Sequence, residues 1–221
     1  MVSIAIDGPA GAGKSTIAKT VSKQLSYIYV DTGALYRSIA LNAILNNTDI
    51  SNEIQVKSLL EDTKVEIKFI DGEQRVFLNT TDVSDKIRTS EVSMMASKVS
   101  ALPVVRAFLL DLQRNIAKEN NVIMDGRDIG TVVLPDAQVK IFLTASSECR
   151  AKRRYNDYLA MGKEEDYNKI LKDIIERDYN DSHREIAPLK PAEDSITIDT
   201  SYDTLEQSVA RIIEVVNQKI K

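Results

Sequence analysis

The chain is poor in the side chains that most often carry protons and metals: among 221 residues it has one cysteine, Cys149, and one histidine, His183. One cysteine cannot close an internal disulfide, and the pair leaves no material for a zinc finger or a histidine-based metal cluster. With 8 glycines and 5 prolines there is no obvious flexible linker, and no repeat or low-complexity stretch interrupts the chain. No apolar run approaches the ~20 residues of a membrane span, and the start, Met1-Val2-Ser3-Ile4-Ala5-Ile6-Asp7, lacks the basic segment of a signal peptide. A soluble, cytoplasmic protein is expected. The 29 Lys and Arg against 33 Asp and Glu give a net charge of −4, which argues against a nucleic-acid polymer as partner. What is present is an ordinary globular balance, 43% hydrophobic and 28% charged, enough for one domain with insertions.

Residues 2–6 form a short apolar run ending at Asp7 and Gly8, suited to a buried strand, and Lys14 to Leu25 follows with helical spacing. Ile28-Tyr29-Val30 reads as a second strand, with Asp31 or Thr32 capping a helix that carries Leu35, Ile39, Ala43 and Ile44 on one face. Val122-Ile123-Met124 and Val139 to Leu143 are further buried strands, so the alternation predicts a mostly parallel α/β sheet. Lys64 to Ile70 instead alternates polar and apolar, Asp71-Gly72 supplies a tight turn, and Arg75 to Leu78 returns: an antiparallel hairpin with one wet face, within an insertion of roughly 50–100. From about 146 to 182 the chain is densely charged and helical, with a break at Gly162, before a last strand at 195–199 and a closing amphipathic helix at 203–220.

Gly8-Pro9-Ala10-Gly11-Ala12-Gly13-Lys14-Ser15 satisfies G-x-x-x-x-G-K-[ST] between a predicted strand and a predicted helix, the context a phosphate loop requires. The chemistry follows from the residue types. Glycines let backbone N–H groups converge on phosphate oxygens, the helix N-terminus adds its positive end, Lys14 reaches the transferable phosphate and Ser15 offers a hydroxyl to Mg²⁺. Asp125 ends the 122–124 strand and is placed either to hold that metal, directly or through water, or to cap the next turn.

Arginine grips phosphate bidentately, and its distribution here is informative. Arg37 follows Asp31-Thr32-Gly33-Ala34-Leu35-Tyr36, Arg106 follows Pro103, and Arg127 lies in Asp125-Gly126-Arg127-Asp128, just past a strand's carboxyl end, where α/β sheets bind ligands. Arg150, Lys152, Arg153 and Arg154 form a basic knot, and Arg177 and Arg184 flank Asp181. Residues 148–190 hold ten basic and ten acidic side chains, which suits a solvated flap closing over a polyphosphate better than a nucleic-acid stripe. An alcohol acceptor would call for a general base such as Asp125 or Asp128. A phosphate acceptor, with a second pKa of about 6, is already ionised at pH 7 and needs positioning and neutralisation only. Many arginines and no dedicated base favour the phosphate.

These pieces, in this order, resemble the bacterial cytidylate kinase family, the (d)CMP kinases of the nucleoside monophosphate kinase group, over essentially the whole chain. They are Asp7 to Thr16, Asp31 to Arg37, Ala96-Ser97 with Pro103 and Arg106, Asp125-Gly126-Arg127-Asp128-Ile129-Gly130-Thr131, Arg150 to Arg154, and Glu176-Arg177-Asp178 to Arg184. The resemblance implies a P-loop kinase fold in one domain, 1–221: a core of about 1–50, 101–148 and 190–221 whose parallel sheet is flanked by helices, an enlarged monophosphate-binding insertion at about 51–100 with the hairpin, and a helical lid at about 149–185. It implies transfer of a phosphoryl group from Mg²⁺-bound ATP to CMP or dCMP. No long heptad pattern is present, so a monomer is expected, with no membrane or nucleic-acid polymer as partner. Gly8, Pro9, Ala10, Gly11, Ala12, Gly13, Lys14, Ser15 and Thr16 would hold ATP, with Ser15 and Asp125 at the metal. Lys14, Arg127, Arg150, Arg153 and Arg154 would serve catalysis. Thr32, Arg37, Ser97, Arg106, Arg127, Asp128, Arg177, Asp181 and Arg184 would bind the acceptor, with Ser97, Arg106 and Asp128 reading cytosine. A UMP/CMP-type or other small-molecule P-loop kinase is the alternative.

Overall fold

The computed structural model describes residues 1–220, which form two compact units, Met1–Tyr29 with Glu119 onward, and Val30–Lys118. The first is built on a five-stranded sheet of β1 (Ser3–Asp7), β2 (Ile28–Asp31), β6 (Val122–Gly126), β7 (Val139–Thr144) and β8 (Ile196–Asp199) in the order β2-β6-β1-β7-β8. β1 lies parallel between β6 and β7, and β8 runs parallel to β7. Ile4, Ile6, Ile123, Ile141 and Leu143 are buried here together with Ile17, Ala18 and Val21 of α1 (Lys14–Leu25) and Val209, Ile212 and Val216 of α8 (Leu205–Lys219). Continuous apolar runs, rather than alternating ones, are what strands covered on both faces need. From the central β1 the chain goes on to β2 at one side of the sheet, and from β7 to β8 at the other, so connections diverge at the carboxyl end of the sheet, where ligands fit.

Helices α6 (Ser147–Ala160) and α7 (Tyr167–His183) pack on each other around Ala151, Ile170 and Ile174, with Tyr155 and Tyr167 edge to face. Gly162, at φ 71°, lies in the connection between them.

The second unit gathers around α2 (Thr32–Leu45), whose Leu35, Ile39 and Ala40 are buried with residues of α3 (Glu53–Glu61), α4 (Ser90–Val99) and α5 (Pro103–Glu119). Asp31 caps α2 through the Ala34 N–H. The expected hairpin is β3 (Val65–Ile70) and β4 (Glu73–Leu78), paired antiparallel, with Asp71 and Gly72 both at positive φ, as a two-residue hairpin turn of the right twist demands. A two-residue β5 (Thr81–Asp82) extends it. Helices α3 and α4 are additions to the sequence reading. α3 buries only Val56 and Leu60, too narrow an apolar stripe to announce itself, although Asn52 does cap it. Among the described residues no single helix is long and apolar enough to cross a membrane.

Two variants gauge this framework by urea unfolding. Ile123→Ala, at a fully buried central position, is expected to cost about 2–5 kcal/mol. Thr204→Ala, which removes the reciprocal cap of α8 with Gln207, is expected to cost about 1 kcal/mol.

Candidate functional site

The loop after β1 can be only glycine at its first position. Gly8 has φ 149°, and a Cβ there would stand 1.9 Å from the Leu143 carbonyl oxygen of β7. The loop then turns through Gly11 and Gly13, at φ 77° and 88°, into α1. Six other helices have a side chain bonded to their first-turn amides, from Asp31, Asn52, Thr89, Ser146, Asp166 and Thr204. α1 starts at Gly13 without such a bond and with no acidic residue in its first turn. Its amides and the positive end of its dipole are thus left to an anion.

Lys14 is buried and spans this loop, its Nζ donating to the Pro9 carbonyl at 2.8 Å. Burial, with Arg127 next, pulls its ammonium down from the usual 10.5 to about 7, against the opposing pull of Asp125 and Asp7. Ser15 Oγ donates to Asp125 Oδ2 at 2.9 Å, and Tyr29 donates from its hydroxyl to Asp125 Oδ1 at 3.0 Å. A hydroxyl and a buried carboxylate side by side are hard oxygen donors. No cluster of three or more His, Cys, Asp or Glu could hold a metal among the described residues. Two such donors suit a hard divalent cation that completes its shell with other oxygens.

Beyond β6 the carboxylates and arginines interlock. Arg127 Nε donates to Asp181 Oδ2 at 2.9 Å and its Nη1 to the Gly126 carbonyl, while Arg184 Nη2 stands 3.5 Å from Asp128 Oδ1 and its Nε donates to the Ala187 carbonyl. Burial works to raise the Asp181 pKa, but Arg127, Arg177 and Arg184 outweigh it and hold the carboxyl below its ordinary value. Three arginines thus converge on buried aspartates at the carboxyl end of the sheet.

Of the basic knot on α6, Arg150 is buried and committed to protein partners. It donates to the Ala145 and Ala10 carbonyls and makes a two-point contact with Asp178 of α7, at 3.0 and 2.5 Å. It fastens α6 and α7 to the phosphate loop. Arg153 donates to the Thr200 carbonyl at 2.6 Å, and Arg154 is partly exposed on the same helix.

The other expected acceptor residues belong to the second unit. Thr32 is buried at the start of α2. Arg37 Nη2 bonds Asp31 Oδ2 at 2.7 Å, and its buried Nε has no hydrogen-bond partner. Gly33 makes room for it, since a Cβ there would lie 2.9 Å from Arg37 Nη1. Arg106 of α5 is buried over the Tyr36 ring and donates to the Ser100 carbonyl at 3.2 Å; the Ser100 hydroxyl in turn donates to the carbonyl of Ser97.

Comparison with known proteins accords with this arrangement. Residues 4–218 match the family described as Cytidylate kinase. The chain belongs to the cytidylate kinase family. A cytidylate kinase of Carboxydothermus hydrogenoformans is 50% identical over 218 residues, covering 98% of this chain and 97% of that protein. One of Streptococcus mutans is 53% identical over 220 residues, covering 99% and 95%. In fold, a solved structure from Eubacterium ventriosum, described as an uncharacterized protein, aligns with a TM-score of 0.53 at 13% identity, over 98% of this chain and 99% of that one.

Four supporting residues went unassigned at the level of sequence: Tyr29 on Asp125, Asp31 on Arg37, Asp178 on Arg150, and Asp7, described below. For Tyr29 and Asp178 the partner lies 96 and 28 residues away, and no local pattern marks it. Asp31 was legible only as a cap. Asp7 had a usable signal, an acidic residue closing an apolar strand at the end of the sheet that binds ligands.

A polyphosphate binds the charged form of Lys14, so binding above pH 7 draws a proton onto it. The affinity for ATP is expected to weaken by up to about tenfold per pH unit above that point. Calorimetry in buffers of different ionisation enthalpy checks this through a proton uptake that Lys14→Met lacks.

Proposed function

We propose that the chain transfers the γ-phosphoryl group of ATP to CMP or dCMP, giving ADP and CDP or dCDP. The observation that carries this is the uncapped N-terminus of α1 beside the Ser15–Asp125 pair, at the same carboxyl end of the sheet as the Arg127–Asp181 and Arg184–Asp128 pairs. It combines a polyphosphate seat with arginines and an aspartate suited to a small anionic acceptor, and the family membership of the chain supports it.

Residues 8–16 would seat the ATP phosphates, with Lys14 leaving the Pro9 carbonyl for the transferable group. Ser15 and Asp125 would hold Mg²⁺, directly or through water, and the ion would neutralise charge on the phosphate oxygens. The acceptor phosphate, gripped by Arg37, Arg127 and Arg184, is ionised at neutral pH, so its oxygen attacks the γ-phosphorus without a protein base while the bond to the bridging oxygen of ADP breaks. Arg153 and Arg154, on a lid of about 149–185, would add positive charge to the group in flight, with Arg150 as the strut that holds this lid to the loop. Arg177 and Asp181 would bind the ribose. Cytosine offers an N4 amino donor to Asp128 and an N3 acceptor to Arg106 or Ser97, whereas uracil would set an acceptor against Asp128, a buried mismatch. Domain roles follow the same reading: one kinase domain whose insertion of about 51–100 serves the monophosphate, working as a soluble cytoplasmic monomer.

A coupled assay with Mg·ATP and CMP, dCMP, UMP or AMP tests the assignment, with CMP and dCMP expected to be the efficient acceptors. Asp128→Ala is expected to lower the ratio of kcat/KM for CMP over UMP by about 10- to 100-fold, the worth of one buried polar mismatch, with the KM for ATP little changed. Equal rates for all four acceptors would reject the reading.

A further inference from the structure

Asp7 closes β1 one residue before the phosphate loop, is buried, and has no part in the scheme above. Its Oδ1 accepts from the Ile129 N–H at 2.8 Å and its Oδ2 from the Gly130 N–H at 2.7 Å. Those are the first two amides of the single π-helical turn Ile129–Val133 that follows Asp128. Asp128 occupies the position from which an aspartate ordinarily turns its carboxylate onto the opening amides of its own helix. It makes no such bond, and its carboxylate stands by Arg184 instead. The capping is done from another strand, by Asp7. Gly130 borders the contact: a Cβ there would meet Asp7 Oδ2 at 3.4 Å, an ordinary van der Waals distance, and the Lys140 side chain at 3.2 Å.

We propose that Asp7 is a positioning residue for acceptor selection: by capping the 129–133 turn from β1, it relieves Asp128 of that task and keeps the Asp128 carboxylate turned toward the acceptor base. Without it, the two open amides compete for the Asp128 carboxylate, which is the nearest acceptor in sequence. Burial pushes the Asp7 pKa up to about 6, against the two amide bonds that favour its anion, so at neutral pH it is in the charge state that accepts both. The inference rests on the reading that Asp128 faces the base.

The test uses the full chain with Asp7→Asn, which keeps one acceptor oxygen and sets an amide donor against the other N–H. The expected result is a ratio of kcat/KM for CMP over UMP lowered by about tenfold, the scale of one buried hydrogen bond, through a raised KM for CMP; loss of the Asp7 charge near Lys14 also weakens ATP, but equally for both acceptors, so the ratio is the readout. Asp7→Glu, which keeps the carboxylate but displaces it by one methylene from the two amides it meets at 2.8 and 2.7 Å, is expected to move the ratio the same way and serves alone if Asp7→Asn does not fold. Combined with Asp128→Ala, neither change is expected to lower the ratio further, because both act through the same carboxylate. An unchanged ratio in the single variants, alongside a lowered one in Asp128→Ala, overturns the role of Asp7 alone. An unchanged ratio in Asp128→Ala overturns the base reading and this inference with it. A raised KM for ATP with an unchanged KM for CMP assigns Asp7 to the phosphate loop and likewise overturns the proposal.

Discussion

Buried charge that must be paired governs the site. Asp7, Lys14, Asp125, Asp128, Arg150 and Asp181 are each more than nine-tenths buried in the first unit. Charges withdrawn from water are tolerated only with partners, and each of these has one within hydrogen-bonding or ion-pair reach: backbone amides for Asp7, a carbonyl for Lys14, hydroxyls for Asp125, arginines for Asp128 and Asp181, and an aspartate for Arg150. Those pairings fix the β1 and β6 loops and the α6–α7 helices to one another. Burial nonetheless leaves Lys14 with a lowered pKa and Asp7 with a raised one, against the pull of their partners, and an anionic ligand beside Lys14 would offset the cost of burying its charge.

The scarcity of histidine and cysteine takes on meaning here. A reaction whose nucleophile is already an anion needs electrostatic neutralisation and alignment more than proton transfer, and arginine supplies both. The net charge of −4 averages over an acidic exterior and a site where Arg127, Arg150, Arg177 and Arg184 gather. Arginine elsewhere does structural work, as Arg75 does in pairing with Asp82 and Asp85 in the hairpin unit.

Legibility varied with the range of the interaction. The β1, α1, β6 and β7 segments, the hairpin with its Asp71-Gly72 turn and the break at Gly162 are local patterns, set by periodicity and backbone preference, and all stand where the sequence reading put them. Helices α3 and α4 were not legible, because each shows water most of its surface and owes its stability to a few residues resting on α2. The π-helical turn after Asp128 was equally unforeseeable. Nothing in Ile129-Gly130-Thr131-Val132-Val133 favours so rare a turn, and its first amide is satisfied by a residue 122 positions away.

By itself, then, the sequence determined the phosphate loop and the parallel α/β layering, since spacing of glycine, lysine and apolar residues is enough to dictate a strand, a tight loop and a helix start; the family was visible as a resemblance of motifs along the chain. Tertiary structure alone decided which charges neutralise which: that Arg150 is a strut, that Tyr29 steadies Asp125, and that Asp7 caps a turn in place of Asp128. The physical reason is that pairing energy depends on distance and burial, and residues such as Asp7 and Ile129 acquire both only when β1 and β6 lie side by side in the sheet.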